Sequence, residues 1–185
     1  MGKCLVFLLF LGFLVPGATG LCETRKMDLD FSLPAPKDAS HRSYLGLETL
    51  DPFLLNQIQI KILIVEIFSM YCPICQREAA DVNKVFELIQ KNPKLKDQIR
   101  LIGIGAGNSD YEVNFFKENY QIEFPLFSDG KFVIHKKIGE VGTPYFIGLK
   151  PNKEKGLEIF YSQSGEIIDT EKFIETLVKA SGLKL

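Results

Sequence analysis

The residues best equipped for chemistry in this sequence are Cys72-Pro73-Ile74-Cys75. Two thiols three positions apart can form, break and pass on a disulfide if one is ionised and the other lies within reach. Competing chemistries have few groups to draw on. With a leader removed, the chain offers one close Cys pair and two distant histidines, His41 and His135. That falls short of a four-ligand zinc set, and no metal is expected. Covalent c-type haem is excluded at the motif, because Gln76 stands where that attachment needs His.

The elements around the pair are those a reactive thiol needs. Ile62-Leu63-Ile64-Val65-Glu66-Ile67-Phe68 is an apolar, β-branched run, which reads as a strand buried on both faces in a parallel sheet. After the motif, Cys75, Ala79, Val82, Phe86 and Ile89 fall at steps of four and three, with polar Gln76, Arg77, Asp81, Lys84 and Glu87 between them. That spacing predicts an amphipathic helix, and Pro73 suits its first position, where an N–H has no partner. Cys72 then sits at a helix N-terminus, whose free N–H groups and partial positive charge favour S⁻. Lowering a thiol pKa from about 8.5 to about 7 raises the thiolate fraction at neutral pH roughly fifteenfold. Because nucleophilicity falls with pKa, the net gain in attack rate is about threefold, and the larger benefit comes when Cys72 is the leaving group. Cys75, one turn on, is placed to attack a mixed disulfide at Cys72. A bridge closing so short a loop would brace the fold weakly, so exchange is the expected role.

Strand, Cys-x-x-Cys and helix together resemble a thioredoxin-fold redox centre, and the longer context is similar to the TlpA-like thiol–disulfide oxidoreductases of the redoxin group. Phe31-Ser32-Leu33-Pro34 resembles that group's leading segment, and Leu101-Ile102-Gly103-Ile104-Gly105, Phe124-Pro125-Leu126 and Gly142-Thr143-Pro144 follow in its order. The resemblance runs from about Asp28 to the end. It implies a thioredoxin-like three-layer α/β sandwich with a central mixed sheet and an inserted segment over 110–139. It also carries a proton relay onto Glu66, where thioredoxins usually have Asp. A carboxyl in a dry strand has a raised pKa and can take the Cys75 proton; the alternative is a Glu at the sheet end paired with a lysine. Thr143-Pro144 resembles the cis-proline loop that faces the Cys pair, with Thr143 backbone ready to pair with an extended client. An ordinary trans turn is the alternative there. Tyr71 stands where thioredoxins usually carry Trp, and serves either as a flat client contact or as packing.

Composition is that of an ordinary globular protein: 46% hydrophobic, 24% charged, net charge −1. Nothing suggests a polyanion-binding protein, and no nucleic-acid partner is expected. The first twenty residues read as a secretory signal, with Lys3 as the basic region, Leu5 to Val15 as a short apolar core and Ala18-Thr19-Gly20 as the cleavage pattern. An uncleaved N-terminal anchor is the alternative. Lipidation at Cys22 is a poor match because Leu21 precedes it, so Cys22 reads as a lone thiol in a flexible tail over 21–27, with intermolecular pairing open. The domain proper is expected over 28–185.

Among the other elements, Asp28 to Leu33 reads as a short edge strand and Tyr44 to Leu47 as another. Asp51-Pro52 reads as the start of a short helix through Gln57. Ile99 to Gly105 reads as a second buried strand, and Ser109 or Asp110 caps a helix to about Tyr120. The glycines from Gly103 to Gly107 lack a dinucleotide or Walker spacing. Phe124 to Phe127 reads as a strand, Ser128-Asp129 as the cap of a short helix ending near Gly139, and Pro144–Leu149 with Leu157–Tyr161 as a hairpin. Thr170 is expected to cap a terminal amphipathic helix. His135 reads as plain helix surface, and His41 as a loop residue without a suggested partner.

The expected function is an exported thiol–disulfide oxidoreductase, located in a bacterial periplasm and acting on client proteins, with reduction as the favoured direction. The resemblance implies a membrane-embedded or soluble thiol electron donor, and no cofactor beyond the redox-active Cys72–Cys75 pair. Two rivals stand beside it. Ser69, three residues before Cys72, echoes a peroxiredoxin-type thiol peroxidase, although Val65 replaces the accompanying Pro. The other is a non-catalytic domain that uses the same fold to hold a client.

Overall fold

All seven residues of Ile62–Phe68 are buried, as a strand central to a two-sided sheet must be. The structure, a computed structural model, describes residues 27–154 and 156–184. The expected leader and Cys22 lie outside the described residues. In chain order the elements are β1 (Ser32–Leu33), α1 (Ala39–Leu45), β2 (Phe53–Leu54), β3 (Ile62–Phe68), α2 (Pro73–Lys91), β4 (Ile99–Ala106), α3 (Asp110–Asn119), β5 (Leu126–Asp129), α4 (Val133–Lys137), β6 (Tyr145–Asn152), β7 (Gly156–Ser164) and α5 (Thr170–Ser181).

Five strands form a mixed sheet in the order β5-β4-β3-β6-β7. The β3–β4 and β4–β5 pairs are parallel, and β3–β6 and β6–β7 are antiparallel. Alternation along β3 divides the core. Ile62, Ile64 and Phe68 face α2 and α5 with Val82, Val85, Phe173 and Leu177, while Leu63, Val65 and Ile67 face Leu45, Phe53, Ile134 and Ile138. Side chains on a strand point alternately to its two faces. By that parity Glu66 belongs to the α2 side. The three-layer arrangement and central mixed sheet expected from the sequence are what the chain forms, with α3, β5 and α4 inserted between β4 and β6.

Several local expectations are corrected. Tyr44 and Leu45 close helix α1, which also contains His41, rather than forming a strand. Asp38 caps it by accepting the Ser40 N–H at 2.7 Å, and Gly46, at φ +70°, ends it in the left-handed region. The helix expected after Asp51-Pro52 is instead strand β2, followed by one 3-10 turn over Leu55–Gln57. Pairing Phe53 with Leu33 buries both rings and methyls against the sheet, a tertiary gain that the local cap signal does not encode. The first strand is confined to Ser32–Leu33, and β5 starts at Leu126, two residues later than expected. The terminal helix is capped by Asp169, which accepts the Lys172 N–H, and not by Thr170. No helix among the described residues is long and apolar enough to cross a membrane.

Candidate active site

β3 delivers the chain to Cys72, which is the N-cap of α2. The approach is fixed on both sides. Asn108, fully buried at the end of β4, accepts the Met70 N–H at 2.8 Å, and Gln76 donates to the Met70 carbonyl at 2.7 Å. The Cys72 N–H in turn donates to the Ser69 carbonyl at 3.0 Å. The Asn108 oxygen braces the Met70 N–H, a pairing that spares both groups a desolvation penalty, while Asn108 Nδ2 is buried with no hydrogen-bond partner among the described residues. Asn108 escapes notice in the sequence, where it reads as one polar residue in a turn.

The Cys72 sulfur accepts the Cys75 N–H at 3.4 Å, as a helix N-cap does, and its own S–H faces the Thr143 carbonyl at 3.2 Å. Partial burial pushes this thiol up. Hydrogen bonds to the sulfur from the Thr143 side chain, from the Cys75 and Ile74 N–H groups and from the Cys75 thiol outweigh burial, and the net shift is downward. Cys75 is fully buried and goes the other way. Burial raises it far above the ordinary thiol value, and the neighbouring Cys72 and Glu66 add to the rise. Both cysteines are free thiols here.

Glu66 lies in the middle of the sheet, opposite Gly103 on β4 and Phe146 on β6, and is buried. Burial first, and the charge of Glu78 second, push its carboxyl up to about 8. The alternative of a surface ion pair with a lysine is not what forms. Glu78 is a second carboxyl on the same side, one turn beyond Cys75 on α2, and is also buried. Its Oε1 accepts the Ile167 N–H. Burial raises it to about 7 against the lowering effect of that hydrogen bond, with Asp81 and Glu166 adding to the rise. The sequence reading missed Glu78. Its only signal was a position three residues after Cys75, on the face that the apolar spacing assigns to the core.

Thr143-Pro144 is a cis peptide, as expected for a loop of this kind, with Pro144 buried and Thr143 half-buried. Among the described residues the Thr143 N–H has no hydrogen-bond partner. Tyr71 is 65% exposed beside Cys72, and its hydroxyl donates to Glu112, a residue that also caps α3 by accepting the Ser109 N–H. It is neither core packing nor an unattached ring. His135 is not plain surface: it is half-buried, and its Nε2 meets the Val141 carbonyl at 2.7 Å, two residues before Thr143. His41 also has a partner, the Glu123 carbonyl at 2.9 Å from Nε2, but that contact is made from α1, a separate element that carries none of the expected site residues. Among the described residues no group of three or more His, Cys, Asp or Glu could hold a metal ion.

The arrangement can do one thing well. It presents a partly exposed sulfur with a lowered thiol pKa, keeps a reluctant sulfur one turn along the helix, and places the buried carboxyl of Glu66 near that second sulfur.

Several solved structures share this architecture. A secreted Mycobacterium tuberculosis disulfide oxidoreductase homologous to E. coli DsbE matches with a TM-score of 0.58 at 15% identity, over 82% of this chain and 96% of that one. M. tuberculosis DsbF gives 0.60 at 16% identity, over the same 82% and 96%. A thiol-disulfide isomerase from Corynebacterium glutamicum gives 0.54 at 20% identity, over 86% and 96%. At such identities the likeness is one of fold, and the fold is thioredoxin-like. No curated protein sequence matches the chain. The AhpC/TSA family model matches residues 29–175.

Proposed function

The chain belongs to the AhpC/TSA family, and from that premise we propose that it is a thiol–disulfide oxidoreductase acting on protein clients through Cys72 and Cys75. The observation that carries this reading is the opposite tuning of two thiols one helical turn apart, lowered at Cys72 and raised at Cys75. The Cys72 thiolate attacks one sulfur of a client disulfide, a new S–S bond forms, and the client's other sulfur leaves as a thiolate. Cys75 then gives its proton to ionised Glu66 and attacks Cys72. That step releases the first client sulfur and closes the Cys72–Cys75 disulfide, so two electrons have passed to the client.

Glu66, with a pKa of about 8, is ionised in roughly one molecule in ten at pH 7, enough to act as base in a resolving step that quickens with pH. Thr143 pairs with the client backbone, and Tyr71 offers it a flat contact. A thiol donor, membrane-embedded or soluble, restores the dithiol. The leader-like first twenty residues support an exported location, the periplasm in a bacterial host.

Trapping with Cys75→Ser in the native host tests the reading, because the variant can form the mixed disulfide but not resolve it. Clients held on Cys72 and released by dithiothreitol are expected. An empty trap, together with a Cys72–Cys75 potential below about −300 mV as inert structural disulfides show, overturns it. Rapid peroxide turnover without insulin disulfide reduction would move the assignment to a thiol peroxidase.

A further inference from the structure

Beside the nucleophile opens a cleft of about 300 Å³, walled by Tyr71, Gly107, Phe132, His135, Val141 and Thr143. It adjoins the reacting atoms directly, since Tyr71 precedes Cys72 and the Thr143 carbonyl lies 3.2 Å from the Cys72 sulfur. Its volume is at the lower limit of small-molecule pockets and suits a single large side chain.

The outer wall is purpose-built. Phe132 adopts φ +56°, a left-handed conformation rare for a bulky residue and found where function demands a particular placement. Its ring lies over Gly107, where an added Cβ would come within 2.2 Å of the ring's tip. Glycine at 107 therefore makes room for that ring as well as permitting its own φ of +69°. Yet Phe132 remains 44% exposed, so the placement does not serve the core. The wall is also held still. His135 meets the Phe132 ring edge-on at 5.6 Å and reaches the Val141 carbonyl at 2.7 Å. Buried Asp129 accepts the Val133 and His135 N–H groups at 2.7 and 2.8 Å.

The chemistry of the lining selects its occupant. Aromatic rings, Val141, Ala106 and glycine backbone dominate, and of the polar groups His135 Nε2 is used by Val141, the Tyr71 hydroxyl by Glu112 and the Thr143 carbonyl by Cys72, leaving the small Ser69 side chain. A charged side chain would enter without compensation, whereas an aromatic one would stack and be desolvated. The unpartnered Thr143 N–H can align an extended client alongside. We propose that this cleft is a specificity pocket for an aromatic client side chain within two positions of the attacked cysteine, with Phe132 as its determinant. The proposal rests on the exchange reading above.

The test uses the full reduced protein and pentapeptides whose central Cys is disulfide-bonded to 5-thio-2-nitrobenzoate. Attack by Cys72 forms a Cys72–peptide disulfide and releases the coloured thiolate. Phe, Leu, Ser and Asp are placed in turn at each flanking position, and each rate is divided by that of the same protein with glutathione disulfide. At one position Phe should outpace Ser and Asp by about tenfold or more, a usual range for an apolar pocket. Phe132→Asn, which suits the left-handed backbone, should cut that preference to about threefold or less. Val141→Trp, which adds bulk to the cleft from another lining position, should do the same. Equal rates for all peptides overturn the pocket and leave exchange standing, as does an undiminished preference in both variants. No reaction with any disulfide, glutathione disulfide included, overturns exchange and pocket together.

Discussion

Cys72 and Cys75 share one helix and lie one turn apart, but the mouth and the floor of the site treat a sulfur in opposite ways. At the mouth, hydrogen bonds from N–H groups and the Thr143 side chain outweigh partial burial, and the thiol is lowered. On the floor, a side chain closed off from water lies near Glu66, whose charge adds to the effect of burial, and the thiol is raised. The first-turn N–H groups of Ile74 and Cys75, free because α2 starts here, supply part of that contrast. The larger part is the number of donors that reach each sulfur against the water each has lost. A pair tuned alike would stall at one of the two steps, since attack needs a ready thiolate and release needs a leaving group better than the attacker.

Breaking the contrast should show most strongly in alkylation. At pH 7 in the reduced protein, iodoacetamide should modify Cys72 at least about 10³-fold faster than Cys75, because thiolate fraction and access act together. Mass spectrometry of partly labelled protein reads the ratio directly, and comparable labelling of the two would remove the basis of the comparison.

The next largest effect concerns the dryness of the floor. Glu66 has a folded pKa of about 8 against an ordinary 4.5, so between those values the folded state holds a proton that the unfolded state has lost. Stability contributed by protonated Glu66 is thus complete below about pH 4.5 and declines as pH rises through 8. Glu66→Gln keeps the neutral shape at every pH. Its stability relative to the native protein should be unchanged near pH 4 and about 5 kcal/mol greater at pH 9, as measured by urea melts across that range. A gain that is flat with pH would mean that Glu66 is already solvated.

The same substitution should slow resolution. With Cys72 loaded as a mixed disulfide, release by Cys75 should fall about 10- to 100-fold at pH 7 in Glu66→Gln, and the levelling of the rate near pH 8 should disappear. Stopped-flow measurement of client release separates this from initial attack, which should change little. The smallest effect is expected from the second carboxyl. Glu78→Gln removes a charge that raises Glu66, so the midpoint of the resolution profile should drop by about half to one pH unit. An unmoved midpoint would show that the two carboxyls do not sense each other.

The mouth of this site was legible residue by residue because its signals are local. A Cys-x-x-Cys between an apolar run and an amphipathic spacing places a sulfur at a helix start, whereas the facing loop at Thr143-Pro144 came only from the family resemblance. Glu66 also stood out locally, as a lone carboxylate among six apolar residues. Tyr44 and Asp51-Pro52 misled where a local preference was overruled by tertiary gains. Helix α1 is capped at both ends and lays Leu45 into the core, and β2 pairs with β1 to cover the sheet.

Covalent order and side-chain periodicity by themselves put Cys72 at a helix start, Cys75 one turn on and a buried strand before them, since they fix which atoms can meet within one turn. The tertiary structure alone decided the rest of the site. Glu78 is one glutamate among several on a helix until the loop before α5 lays the Ile167 N–H on it and shuts out water. Phe132, His135 and Val141 are likewise unremarkable in order, and become a wall only when the inserted α4 folds back against the turn after β4. Burial and distance belong to the packed chain, and they set both the charge on a carboxyl and the shape of a pocket.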